Sequence, residues 1–217
     1  MNDESTELPE VLPLFPLTGV LLLPRASLPL NIFERRYLDM ASAAMSGDGM
    51  IGVVQPQILE RDPIPTQTPL YEIGCVGKIV SFNETKDGRN LITLAGTSRF
   101  KIIEEVSMGL AYRSAKVSYD LFQNDLLPGE VPLERERRFT AIRAYFDYKN
   151  IQTDWNVIEN ATDEAVVSSL AMGCPFEGVE KQALLECIDL KERSDLLTSL
   201  MEMAVQESGV SVTPTTQ

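Results

Sequence analysis

Residues 12–40, "LPLFPLTGVLLLPRASLPLNIFERRYLDM", restrict the fold more than any other part of the chain. The stretch opens strongly apolar, yet Pro13, Pro16, Pro24 and Pro29 interrupt it and Arg25 follows its most apolar part. A helix crossing a bilayer needs about 20 consecutive apolar residues. Proline removes a backbone donor and clashes with the preceding turn, so it does not recur inside such a helix. An export signal fits poorly on charge. The residues ahead of the run include Asp3, Glu4, Glu7 and Glu10 but no Lys or Arg, whereas a signal begins positively charged. The run is therefore read as short strands separated by turns, in a chain that folds and does not enter a membrane.

With 217 residues, 44% of them hydrophobic and 24% charged, the chain can bury a core as one large domain or two small ones. Cys75, Cys174 and Cys187 form no close-spaced pair, which fits a reducing cytosol. Without histidine, a zinc site would need scattered thiols and carboxylates, so no metal and no cofactor is expected. The 19 basic and 32 acidic side chains leave a net charge of −13. Nucleic-acid binding rests on Lys and Arg neutralising phosphates, so an acidic chain is poorly suited to it.

The hydrophobic period changes along the chain. Before residue 120 it reads as short strands: 49–55, 75–82, 89–96, 99–106 and 112–119, with Asp87-Gly88 supplying a hairpin turn. One helix interrupts them at about 33–46, where Tyr37, Leu38, Ala41, Ala44 and Met45 recur at helical spacing. Regular short strands of this kind predict a mainly antiparallel barrel or sandwich. After the turn-rich segment 123–132 the period becomes 3.6. Helices are expected at about 132–149, from Thr162 to near Gly173, at 177–187 and at 190–207. Thr162 is read as an N-cap, with Asp163 and Glu164 in the favoured first turn.

The motifs weigh against catalysis. "GCVGK" at 74–78 has two residues between its glycines and Ile79 after the lysine. A phosphate loop needs four residues there and then Ser or Thr. A Ser-His-Asp or Cys-His arrangement is impossible without histidine, and no depressed-pKa lysine is evident for a Ser-Lys pair. "NIFERRY" is the most distinctive short segment. Phe33 and Tyr37 share a helix face and either anchor the helix or, with Arg36, border a groove for a partner's chain. In "GTSRF", Gly96 ends a strand and marks a bulge or a close backbone approach. Arg99 then either pairs internally with an acid or faces a ligand.

Taken in order, "LPLFPL" (12–17), "LPLNIFERRYLDM" (28–40), "DGRNLITLAGTSRFKI" (87–102) and "KQALLECIDLKERSDLL" (181–197) resemble the amino-terminal domain of Lon-type ATP-dependent proteases. That domain also occurs as free-standing bacterial proteins. The resemblance implies an α+β fold: a pseudouridine-synthase-and-archaeosine-transglycosylase-like (PUA-like) antiparallel β-barrel with one inserted helix, then a small helical bundle. The expected division is 1–10 disordered, 11–121 barrel, 122–207 helical and 208–217 disordered. It further implies a cytoplasmic, non-enzymatic module that binds unfolded polypeptide or a protein partner, including by strand addition at a sheet edge, and acts as an adaptor in protein quality control. Phe33, Arg36, Tyr37 and Arg99 are the candidate binding residues, and none is catalytic. The rival readings are an RNA-binding or small-ligand PUA-like module and a self-contained peptidase. Two positions differ from many relatives: Pro24-Arg25 stands for Pro-Gly, and Asn31 for a basic or histidine residue.

Overall fold

The structure, a computed structural model, describes residues 8–58, 64–127 and 134–207. Internal contacts divide the chain into a β unit, residues 1–128, and a helical unit, residues 129–217. This division falls later than the expected 121/122, because the 3-10 helix Asp120–Leu126 packs on the sheet. Leu8 packs against the core, the Pro9 carbonyl accepts from Tyr119 Oη and the Glu10 carbonyl accepts from the Val117 N–H. The rest of the stretch expected to be disordered at the amino end, 1–7, and the tail 208–217 lie outside the described residues.

The β unit contains β1 (Val11–Pro16), β2 (Ser27–Ile32), helix α1 (Arg35–Met45), β3 (Met50–Val54), β4 (Ile73–Glu84), β5 (Asn90–Val106) and β6 (Ser114–Ser118). They form one six-stranded sheet in the order β2-β5-β4-β3-β1-β6, and β5 also pairs with β6. Hydrogen bonding therefore runs from β5 through β4, β3, β1 and β6 back to β5, with β2 outside this circuit. All pairings are antiparallel except β1–β3, because α1 and β2 return the chain in its original direction.

The proline-punctuated run becomes two strands and a buried link. β1 changes partner midway: Val11–Pro13 pair with β6 and Leu14–Pro16 with β3, so each proline ends a pairing. Leu21, Leu22 and Leu23 are buried without being a strand. Their close approach to the sheet requires glycine. A Cβ at Gly96 would lie 2.0 Å from the Leu23 carbonyl oxygen, and one at Gly77 2.6 Å from Leu22 Cδ2. Gly96 does not end a strand as the sequence reading held. β5 continues through it, with a register shift beside it, so bulge and close approach coexist. Arg25 has φ +61°, the left-handed region that glycine favours. Its N–H donates to the Gly96 carbonyl at 2.8 Å and its guanidinium to the Asp125 carbonyl.

The helical unit contains α2 (Arg135–Lys149), α3 (Trp155–Asn160), α4 (Asp163–Gly173), α5 (Gly178–Glu186) and α6 (Leu190–Glu207). The four expected helices are present. The additional α3 is a single short segment capped by Asp154, whose carboxylate accepts from the Asn156 N–H at 3.0 Å. Thr162 caps α4 as expected, accepting from the Ala165 N–H at 3.3 Å. Ile142, Tyr145 and Phe146 of α2 are buried, as are Leu197 and Met201 of α6.

Candidate functional site

The four candidate residues are not brought together on one surface. Arg99 is 2% exposed and faces inward. Its Nε and Nη2 donate to the two carboxylate oxygens of Asp125 at 2.9 and 2.8 Å, and its backbone N–H donates to the same carboxylate at 2.9 Å. The guanidinium also lies 4.1 Å from the centre of the Phe122 ring. Of the two readings given by the sequence, the internal ion pair is the one observed. The partner was not legible because it stands 26 residues away on the 3-10 helix.

Tyr37 is 5% exposed, with its ring 4.5 Å from that of Phe15, and so anchors α1 to the sheet. Arg36 donates to the Ile64 carbonyl at 2.7 Å, pairs with Glu34 at 2.8 Å and lies over the Tyr37 ring. The recess beside Arg36 and Tyr37 measures about 10 Å³, room for roughly one water. It is no groove for a chain. Phe33 alone is open, at 63% exposure.

A larger opening lies on the sheet formed by β2, β5 and β4. β2, the first part of β5 and the end of β4 form a three-stranded arm, with Asn31↔Leu91 and Leu91↔Asn83 in one cross-strand row and Pro29↔Thr93 and Thr93↔Ser81 in the next. These six side chains share one face and line a groove of about 440 Å³. Val80 is the extra residue at the register shift between Ile79 and Ser81 and is 60% exposed; Leu91 and Phe82 are exposed too. Among the described residues β2 pairs only with β5. The Gly96 N–H donates to the Ala26 carbonyl at 2.8 Å, and alternation from that bond turns the main-chain groups of Ser27, Pro29 and Asn31 outward. Pro29 has no N–H to offer there, a common way of blunting an edge. The sequence reading missed Asn83, Val80 and Leu91. Alternation in "KIVSFNE" and "NLITL" marks strands but does not say which face another element covers.

A second apolar recess of about 300 Å³ lies between β1, α1 and the β5–β6 connection, lined by Val11, Pro13, Ala43, Met108 and Leu110. Among the described residues no group of three or more Cys, Asp or Glu side chains could hold a metal. In the helical unit, burial pushes the Cys174 thiol up to about 11, with Lys181 partly opposing it. A thiol held protonated in this way is a poor nucleophile. Burial lowers the Lys181 ammonium, which donates to the Met172 carbonyl at 3.1 Å. No described helix is long and apolar enough to cross a membrane.

Comparison with known proteins places these features. Residues 11–203 match the model of the ATP-dependent protease La (LON) substrate-binding domain. The chain is 30% identical to the Lon protease of Flavobacterium johnsoniae over 217 residues, covering 95% of this chain and 25% of that protein. It is 27% identical to the Lon protease of Escherichia coli K12, covering 94% of this chain and 26% of that protein. It thus spans about a quarter of the length of these relatives. Among solved structures, the Lon N-terminal domain protein from Xanthomonas campestris superposes with a TM-score of 0.61 at 25% identity, over 87% of this chain and 97% of that one. The N-terminal domain of a Mycobacterium avium complex Lon protease gives 0.58 at 17% identity, over 88% and 98%, a likeness of fold.

Proposed function

Since the chain belongs to the ATP-dependent protease La (LON) substrate-binding domain family, we propose that it recognises unfolded or extended polypeptide through the three-stranded arm of its β unit. One observation carries this reading. Leu91 stands exposed on the groove face of an arm whose outer strand has no second neighbour among the described residues, Phe82 on the opposite face, Val80 at the β4 register shift and Phe33 one residue beyond β2. Unfolded chains differ from folded ones chiefly in exposed apolar side chains and unpaired main chain, and the arm offers apolar side chains to the first and polar groups of its groove to the second.

The β5–β4–β3–β1–β6 circuit supports reading the β unit as a PUA-like barrel with α1 inserted and β2 appended. A non-catalytic, cytoplasmic adaptor in protein quality control fits a sequence with no phosphate loop and no histidine. The net charge of −13 favours a polypeptide over RNA.

The test is fluorescence anisotropy of a labelled, reduced and carboxymethylated polypeptide titrated with the full chain, alongside Phe33→Ser and Val80→Ser. Saturable binding, weakened by either substitution at unchanged melting temperature, is the expected result. No binding at tens of micromolar protein overturns the proposal.

A further inference from the structure

We propose that Asn31 and Asn83 act as a pair of amide clamps for the main chain of the bound polypeptide, one on each side of Leu91. This inference rests on the polypeptide-binding role of the arm and names how the guest is held. The groove carries no ionisable side chain among Pro29, Asn31, Ser81, Asn83, Leu91 and Thr93, although 24% of the chain is charged. A neutral lining in a chain of net charge −13 selects for an uncharged ligand surface. Main-chain amides provide one in every polypeptide, whatever its sequence.

The register sets the spacing. Asn31 and Asn83 both lie directly across from Leu91, on β2 and β4 respectively. Two strand spacings of about 4.8 Å put them roughly 10 Å apart, about three residues of extended chain at ~3.3 Å each. A guest crossing the arm would present peptide groups about three residues apart to the two asparagines and rest an intervening apolar side chain on Leu91. Each carboxamide has one acceptor and two donors, so it can pair with a peptide N–H and C=O together. Asn31 and Asn83 are both exposed. Neither makes a side-chain hydrogen bond to another described residue that would have to break first. Main-chain capture of this kind also replaces what the β2 edge lacks, since Pro29 interrupts its outward donors.

The experiment uses the full chain and two labelled ten-residue neutral peptides of the same apolar sequence. One is unmodified; in the other, alternate backbone nitrogens are methylated. Asn31→Ala, Asn83→Ala and the double variant are compared with wild type, each checked for unchanged melting temperature. Wild type is expected to bind the unmodified peptide at least fivefold more tightly than the methylated one, independently of salt. Each substitution is expected to weaken the unmodified peptide by at least about fivefold, as for the loss of one or both hydrogen bonds of that amide, and the double variant to bind both peptides alike. Two outcomes overturn the clamp: wild-type affinity in the double variant, or equal binding of the two peptides by wild type. If Phe33→Ser still weakens binding in either case, the polypeptide-binding role stands and only the clamp falls. Absence of any binding by wild type removes both.

Discussion

Arg99 in the β unit and Arg138 in the helical unit are both almost fully buried, at 2% and 1% exposure, but their surroundings differ. Arg99 meets a carboxylate that is itself buried, accepts from both its side chain and its backbone, and answers it with two oxygens. Arg138 donates to the Ser194 hydroxyl at 3.2 Å and to Asp163, whose side chain is partly open to solvent. Its Nε has no hydrogen-bond partner among the described residues. Burial accordingly lowers the Arg138 guanidinium more than Asp163 restores it. The comparison separates a charge that the fold requires from one that it tolerates. A buried pair contributes little net stability but is costly to split, whereas a half-solvated pair can lose a member cheaply.

The sharpest way to break that comparison is Asp125→Ala, which removes the carboxylate opposite the buried Arg99 charge. It is expected to destabilise the chain by about 3–5 kcal/mol in urea unfolding. A loss near that of a surface substitution would show that Arg99 is not held as described.

The second effect is alkaline and belongs to the helical unit. The Cys174 thiol titrates near 11 when folded, up from the ordinary 9.0, so the native state keeps a proton that the unfolded state gives up. That contribution to stability is complete below pH ~9 and is lost as pH rises toward ~11, by at most roughly 2–3 kcal/mol. Cys174→Ala is expected to flatten this decline in melts recorded across that window. Lys181, lowered by burial, acts in the opposite sense and limits the size of the effect.

Arg138→Met comes third, with an expected change within about 1 kcal/mol of either sign. Asp163 remains partly solvated, in the first turn of α4, with Arg135 at 3.9 Å. A loss as large as that of Asp125→Ala would erase the distinction between the two arginines. The smallest expected effect is that of Phe33→Ser, under about 0.5 kcal/mol in stability because the ring is exposed. A larger loss would mean that Phe33 packs against something and is not available to a ligand.

Much of the fold was legible because much of it is local. The Asp87-Gly88 turn, the Thr162 cap and the helical period of 190–207 each lie within a few residues of the feature they specify. The family resemblance was carried by short motifs in a fixed order, and the match over 11–203 agrees with it. The site was less legible. "NIFERRY" drew attention to Arg36 and Tyr37, but those residues hold α1 to the β unit. Of the candidate residues in that segment only Phe33 remained open.

By itself the sequence determined where most of the strands and helices lie, a net charge of −13, and the lack of any histidine from which a catalytic centre could be built. The tertiary structure alone decided that β5 pairs with both β4 and β6, that Arg99 finds Asp125, and that Asn31, Leu91 and Asn83 stand in one row. The physical reason is range. Propensity, capping and periodicity act over a few residues, whereas strand register and the pairing of a buried charge join residues far apart in the chain and are set by packing.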